Sequence, residues 1–239
     1  MFADRTASAI GIAKSGMPNT EEVMPSNDNA QLVGNEDGLR DIMGPTMDIA
    51  IHKSRPKLDK HCKAFIERSP FLCIGTSNAD GKADVSPRGD PPGFVQVVGD
   101  NQLFIPDRPG NNRLDTMSNI VANPNVGLLF FIPGFNDTLR VNGKATIVQD
   151  DDKSEKAKIR GKAPKVGIQV EVQEVFLHCA KAFMRSKLWD PSTFQDRKEF
   201  PTLANMILDQ VAEPDNPPTE EEVKEADDFV EDNYKTGLY

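Results

Sequence analysis

The chain is poor in the residues that bridge, span or grip by charge alone. It holds three cysteines, Cys62, Cys73 and Cys179, in 239 residues. An odd, widely spaced trio argues against a disulfide framework or a zinc site and fits a reducing, cytoplasmic compartment. No apolar run approaches the roughly 20 residues that cross a bilayer. The longest, Val126 to Phe135, is broken by Pro133 and Gly134. No basic segment leads into an apolar stretch at the start, so no secretory signal is expected. Dinucleotide fingerprints, Walker loops and metalloprotease pairs are missing. So is a basic stripe with interleaved aromatics, which removes nucleic acid from the expected partners. Apolar residues make up only 38% of the chain, so part of it is expected to lie outside any packed core.

What is present is unevenly spread. The net charge is −9, and Ile207 to Tyr239 alone carry eleven acids against two lysines. The acidity therefore belongs to the tail, while the body is balanced. Residues 1–34, small and polar with Pro18 and Pro25, read as a mobile arm. Residues 35–190 read as the folded domain with leading helices. Residues 191–239 read as an acidic helical appendage.

Within the body the apolar period changes at Phe71. Before it, Leu58, Cys62, Phe65 and Ile66 share a helical face, with Pro56 suited to a first helical position. After it come short strands and turn signals. Phe71–Ser77 and Ala83–Ser86 flank the turn Asn78-Ala79-Asp80-Gly81. The run Ser86 to Gly93 is too rich in Pro and Gly to stay in a ladder. Phe94–Val98 and Gln102–Ile105 form a second hairpin. Val126–Ile132 is continuously apolar, as for a strand buried on both faces. Thr138–Val148 carries a bend or bulge at Asn142-Gly143. Val166–Leu177 alternates cleanly. Short helices are expected at 150–160, 181–188, 200–211 and 220–234. Six or more short strands joined by turns, with one helix inserted, predict a mainly β fold with peripheral helices (α+β), built on a small antiparallel barrel.

Three places gather polar residues that a barrel does not need. In Pro106 to Asp115, PDRPGNNRLD, a Gly/Pro loop joins a strand to a helix start. Asn112 is placed to cap that helix, with Asp115 three residues on. Helix starts attract anions, Gly110 lets backbone approach, and Arg108 and Arg113 can fork onto phosphate. The stretch is thus either a phosphate seat or an ordinary capped surface loop. In Ser86 to Asp90, Arg88 either reaches an anion or pairs with Asp90. The third place, His178 to Trp189, sets a cysteine beside a histidine. Adjacent residues point in different directions and no third group orients them, so Cys179 reads as a small buried residue. His61-Cys62 reads as structural too.

Four segments together carry a resemblance: SPFLCIGTSNADGKADVSPRGDPPGF (Ser69–Phe94), IPDRPGNNRLDTMSNIVANPNVGLLFFIPG (Ile105–Gly134), TLRVNGKATI (Thr138–Ile147) and HCAKAFMRSKLWDP (His178–Pro191). In order and spacing the chain resembles the pyridoxamine 5′-phosphate oxidase-related family of FMN-binding split barrels, in a branch whose activities are mostly unassigned. The resemblance implies an FMN-binding split β-barrel that is a homodimer with FMN at the subunit interface. It implies an FMN-dependent oxidoreductase acting on a small molecule. By the same resemblance Arg88 lies near the flavin, and Ile105 and Pro106 end a strand along it. Arg108, Asn111, Asn112 and Arg113 match the phosphate-gripping segment, Thr138 and Arg140 fall on a strand touching the flavin, and Ser186 and Trp189 reach it from the other subunit. Two departures are plain. The gripping segment reads Asn-Asn-Arg-Leu where pyridoxamine phosphate oxidases proper have Ser-Arg-Lys, and their Arg-Leu-His signature is missing. Oxidation of pyridoxamine phosphate itself is therefore not expected. A non-catalytic, redox-sensing flavoprotein, or a haem or deazaflavin binder with His178 as the argument for haem, are the other uses of such a barrel.

Overall fold

A computed structural model describes residues 31–239. The expected N-terminal arm falls mostly outside the described residues. The chain divides into two compact units, Met1–Thr46 and Met47–Tyr239. The described part of the first holds one helix, α1 (Glu36–Met43). Asn35 caps it by accepting from the Gly38 N–H, and Gly44 closes it at a φ of 78°, donating its N–H to the Arg40 carbonyl. None of its residues is buried.

The second unit begins with α2 (Asp48–His52) and α3 (Lys60–Arg68). Helix α3 starts four residues later than the Pro56 reading placed it. The Asp59 carboxylate takes the His61 and Cys62 N–H groups, so the cap decides the start and the proline does not. Strands β1 (Phe71–Ser77), β2 (Ala83–Gly89), β3 (Gln96–Val98) and β4 (Gln102–Pro106) follow, then α4 (Asp115–Ala122), β5 (Asn125–Phe131), β6 (Thr138–Val148), α5 (Asp151–Lys156), β7 (Gly167–His178), α6 (Lys181–Ser186), α7 (Leu203–Val211) and α8 (Glu220–Thr236).

The seven strands form one sheet in the order β2-β1-β5-β6-β7-β4-β3, with every pairing antiparallel. Strands β2 and β3 are its two edges, so the barrel is split. Inward side chains of β1, β4, β5, β6 and β7 meet in a single core with Cys62 and Ile66 of α3 and Ile120 of α4. Ile66, Leu72, Ile74, Phe130 and Leu139 are completely excluded from solvent.

Two sequence expectations change here. Strand β2 runs on through Pro87 to Gly89, opposite Cys73 and Phe71. A proline is tolerated because β2 has a free edge where its missing N–H is not needed. Strand β5 is buried on one face only: Val126, Leu128 and Phe130 point inward, while Leu129 and Phe131 remain half-buried outside. The bend at Asn142-Gly143 is present. Asn142 pairs with Glu174 but Gly143 pairs with Val172, so Gln173 is the extra residue of a bulge in β7. Gly143 is required there, because a Cβ would lie 2.1 Å from the Glu171 carbonyl oxygen.

Candidate functional site

Strand β4 ends at Pro106 and the chain then runs irregularly to α4. Two residues of this loop, Asn112 (φ 57°) and Leu114 (φ 61°), are left-handed. Leu114 occupies the cap position of α4 and gives no side-chain bond. Asn112 is therefore not the cap that the sequence spacing suggested. A left-handed backbone carries the chain past the cap geometry, and Asn111 instead turns the loop by accepting from the Arg113 N–H at 3.1 Å. The first N–H groups of α4 are left without a side-chain acceptor from the cap residue, so this helix start still suits an anion.

A cleft of about 450 Å³ lies between this loop and the outer end of β2. It brings together Arg88, Pro106, Arg108, Asn111, Asn112 and Arg113, gathered from two separate stretches of chain. Asp84 to Gly89 form one wall, and Asp115 to Met117 of α4 close the far end. The size falls within the roughly 300–1,000 Å³ of small-molecule sites.

Each of the three arginines has a carboxylate. Arg88 donates from Nη1 to Asp107 at 2.9 Å, not to its sequence neighbour Asp90. Arg108 donates from Nε to Asp90 at 2.6 Å and from Nη2 to the Ala157 carbonyl at 2.7 Å. The Asp90 side chain is only 1% exposed. Arg113 donates from Nε to Asp115 at 2.8 Å, and both groups stand in solvent. The first two pairs are part-buried and cross between the ends of β2 and β4, so they fix the wall. The third is a solvated pair of little strength, and Arg113 is the cation free to turn to a ligand. Arg88 Nε is buried with no hydrogen-bond partner among the described residues. A buried, unmatched guanidinium nitrogen in a binding cleft is costly unless a ligand or water supplies the acceptor.

The sequence model for pyridoxamine 5′-phosphate oxidase matches residues 58–179, from just before α3 through all seven strands. The chain belongs to the pyridoxamine 5′-phosphate oxidase family. No curated protein matches it in sequence. Among solved structures it is similar to HupZ of Group A Streptococcus, at 18% identity and a TM-score of 0.43, over 50% of this chain and 93% of that one. It is also similar to a Lactobacillus delbrueckii protein provisionally described as a pyridoxamine 5′-phosphate oxidase, at 22% identity and 0.40, over 51% and 95%. A third is general stress protein 26 of Bacillus anthracis, at 18% and 0.38, over 48% and 88%.

The remaining family-derived positions lie apart from the cleft. Ile105 faces the core and is 1% exposed. Thr138 is buried opposite His178, and Arg140 lies opposite Phe176 with its guanidinium 5.3 Å from that ring. The His178 imidazole is held below its ordinary range by burial, then by the charges of Arg140 and Lys53. Glu174 is held low as well, by hydrogen bonds from Ser54 and Asn142. Ser186 and Trp189 sit in a third place. The Trp189 indole donates to the Phe135 carbonyl and stacks on Phe183, which touches Phe131, which touches Phe71. Cys179 is exposed, contrary to its reading as a small buried residue, because β7 has already ended at His178.

Two contributors escaped the sequence reading. Asp107 carries no motif, and only the fold sets it against Arg88. Tyr239 lies far along the chain, yet its hydroxyl donates to Asp90 at 2.7 Å.

Proposed function

We propose that the protein is an FMN-binding flavoprotein and an FMN-dependent oxidoreductase for a small organic substrate or a nicotinamide. Membership of the family supports this, but the observation that carries it is the cleft. Three arginines, an open helix start and an orphaned Arg88 nitrogen converge on one space of small-molecule size. Arg113 would leave Asp115 to meet the phosphate, with Asn111, Asn112 and the first N–H groups of α4 beside it. Arg88 and Arg108, braced by Asp107 and Asp90, would hold the wall and offer hydrogen-bond donors without moving. Bound flavin would supply hydride transfer, a chemistry that no side chain of this chain provides. Pro106, buried at the end of β4, would give the cofactor a rigid apolar edge.

In this reading the active form is a homodimer. The outward strip Phe71, Phe131, Phe183 and Trp189 offers the apolar surface for it, and Ser186 and Trp189 then reach the cofactor of the other subunit. Arg140, outside the cleft of its own chain, would likewise act near the flavin's ring, where a positive charge favours the reduced anion.

The test is the absorption spectrum of the protein as purified, followed by release and identification of the bound chromophore. Two broad flavin bands and released FMN are expected. A single sharp, intense band would mean haem and sink the proposal. Anaerobic mixing with NADH or NADPH then separates enzyme from passive carrier, since bleaching of the flavin is expected only of the former.

A further inference from the structure

Tyr239 lies three residues beyond α8, and four groups from three parts of the chain converge on it. Its hydroxyl donates to Asp90 Oδ1 at 2.7 Å. Its ring is approached by the guanidinium groups of Arg108 and Arg160, at 5.7 and 5.3 Å from its centre. Its backbone oxygen accepts from Lys162 Nζ. Arg160 and Lys162 are presented by one tight turn, in which Arg160 and Gly161 are both left-handed and Ile159 bridges Lys162.

The consequence falls on Asp90. Its two oxygens are divided: Oδ2 takes Arg108 Nε and Oδ1 takes the tyrosine hydroxyl. With both oxygens free, a carboxylate and a guanidinium pair in a two-pronged fork. Here Nη2, the nitrogen that would complete a fork beside Nε, is turned to the Ala157 carbonyl instead, and the tyrosine hydroxyl fixes the second carboxylate oxygen. Arg108 is held by Nε and Nη2 alone, and its Nη1 makes no hydrogen bond among the described residues.

We infer that Tyr239 is a positioning residue for the anion side of the cleft: it holds Asp90 Oδ1, and so fixes the carboxylate that orients Arg108, whose Nη1 is left for a ligand phosphate. The inference rests on the flavin reading above and extends it from the barrel to the helical appendage. Removing the hydroxyl takes away one of the two bonds that fix the Asp90 carboxylate, so that Asp90 turns and Arg108 loses its set orientation.

The experiment compares FMN with riboflavin, which lacks the phosphate, by quenching of flavin fluorescence on the stripped protein. Tyr239→Phe keeps the ring beside the two arginines and removes only the hydroxyl. It is expected to weaken FMN about tenfold, the scale of one hydrogen bond to a charged group, and to leave riboflavin unchanged. Tyr234→Phe, on the exposed side of α8, should bind both as wild type. Wild-type FMN affinity in Tyr239→Phe overturns the inference, and so does an equal loss for both ligands. If the wild-type chain binds neither flavin, the flavin reading falls and the phenol decides the rest. Tyr234→Phe leaves Tyr239 as the sole tyrosine. Its phenol should ionise above the ordinary range because of its bond to Asp90, and Asp90→Asn should bring it back down. An ordinary titration without Asp90→Asn overturns the clamp.

Discussion

At the scale of single residues, the three arginines of the cleft are not equivalent. Arg113 and Asp115 are solvent-exposed, so their pair adds little to stability, whereas Arg108 is built into the wall. Arg113→Ala should therefore purify largely without flavin while melting within about 2 °C of wild type stripped of its flavin. Full yellow occupancy in that variant would show that the phosphate sits elsewhere. His178 makes a separate prediction. Its folded pKa lies below its unfolded value of about 6.5, so the unfolded state binds more protons in acid. Its share of stability is whole above that pH and is lost as the pH falls through the folded value. Glu174, also depressed, acts in the same direction but only near about pH 4. Urea midpoints at pH 7.5 and 5.5 should thus differ less in His178→Gln than in wild type. Residue type and local spacing set Arg108 and Arg113 in one place and Arg88 in another, and the fold brings all three to one cleft. They could not pair them, because Arg88–Asp107 and Arg108–Asp90 cross between strand ends that meet only in the fold.

At the scale of elements, hydrophobic period was the dependable guide. The strands from Phe71 to His178 fall where alternation and turn residues put them, within a few residues. Misreadings cluster where backbone geometry overrides residue preference. Asn112 is a good cap by type, but a left-handed loop moves the helix start past it. Pro87 is a poor strand residue by type, but an edge strand accepts it. Gly143 was legible as a bend, though not its cause, which is the extra residue on the facing strand. A side chain at Gly143 would press on the Glu171 backbone. Gly143→Ala should cost about 3 kcal/mol, the upper end for overpacking against an unyielding neighbour. Chemical denaturation would measure it, and a loss under about 0.5 kcal/mol, the level of an ordinary surface change, would mean that the bulge is slack.

At the scale of the molecule, the cleft and the outer aromatic strip are separate features of one chain. Phe71 and Phe131 lie on adjacent strands, and Phe183 and Trp189 extend the strip beyond the sheet. Contiguous exposed apolar patches mark interaction sites, and the proposed dimer would use this one. Phe183→Glu is expected to convert a dimer into a monomer on a calibrated light-scattering column, with the fold retained by circular dichroism. A wild-type chain that runs as a monomer at micromolar concentration would remove the dimer from the proposed function. The strip was invisible in the sequence as a unit, since its members are spread over more than a hundred residues. Residue type marks the stretch ending at Trp189, and the family resemblance alone gives it a role at a subunit interface.

The bulge in β7 has one more effect. Inward positions run Ile168, Val170, Val172 and then Val175, out of step by one. Gln173 thus acts on the strand as an inserted base acts on a coding frame. Everything upstream faces one way by even count, and everything downstream by odd. The outward setting of Phe176 and His178 beside Arg140 is written by that single added residue, not by their own chemistry. The same strand run without the bulge would turn Phe176 and His178 inward and Val175 and Leu177 outward, while a strand that simply lost Gln173 would keep every face as it is.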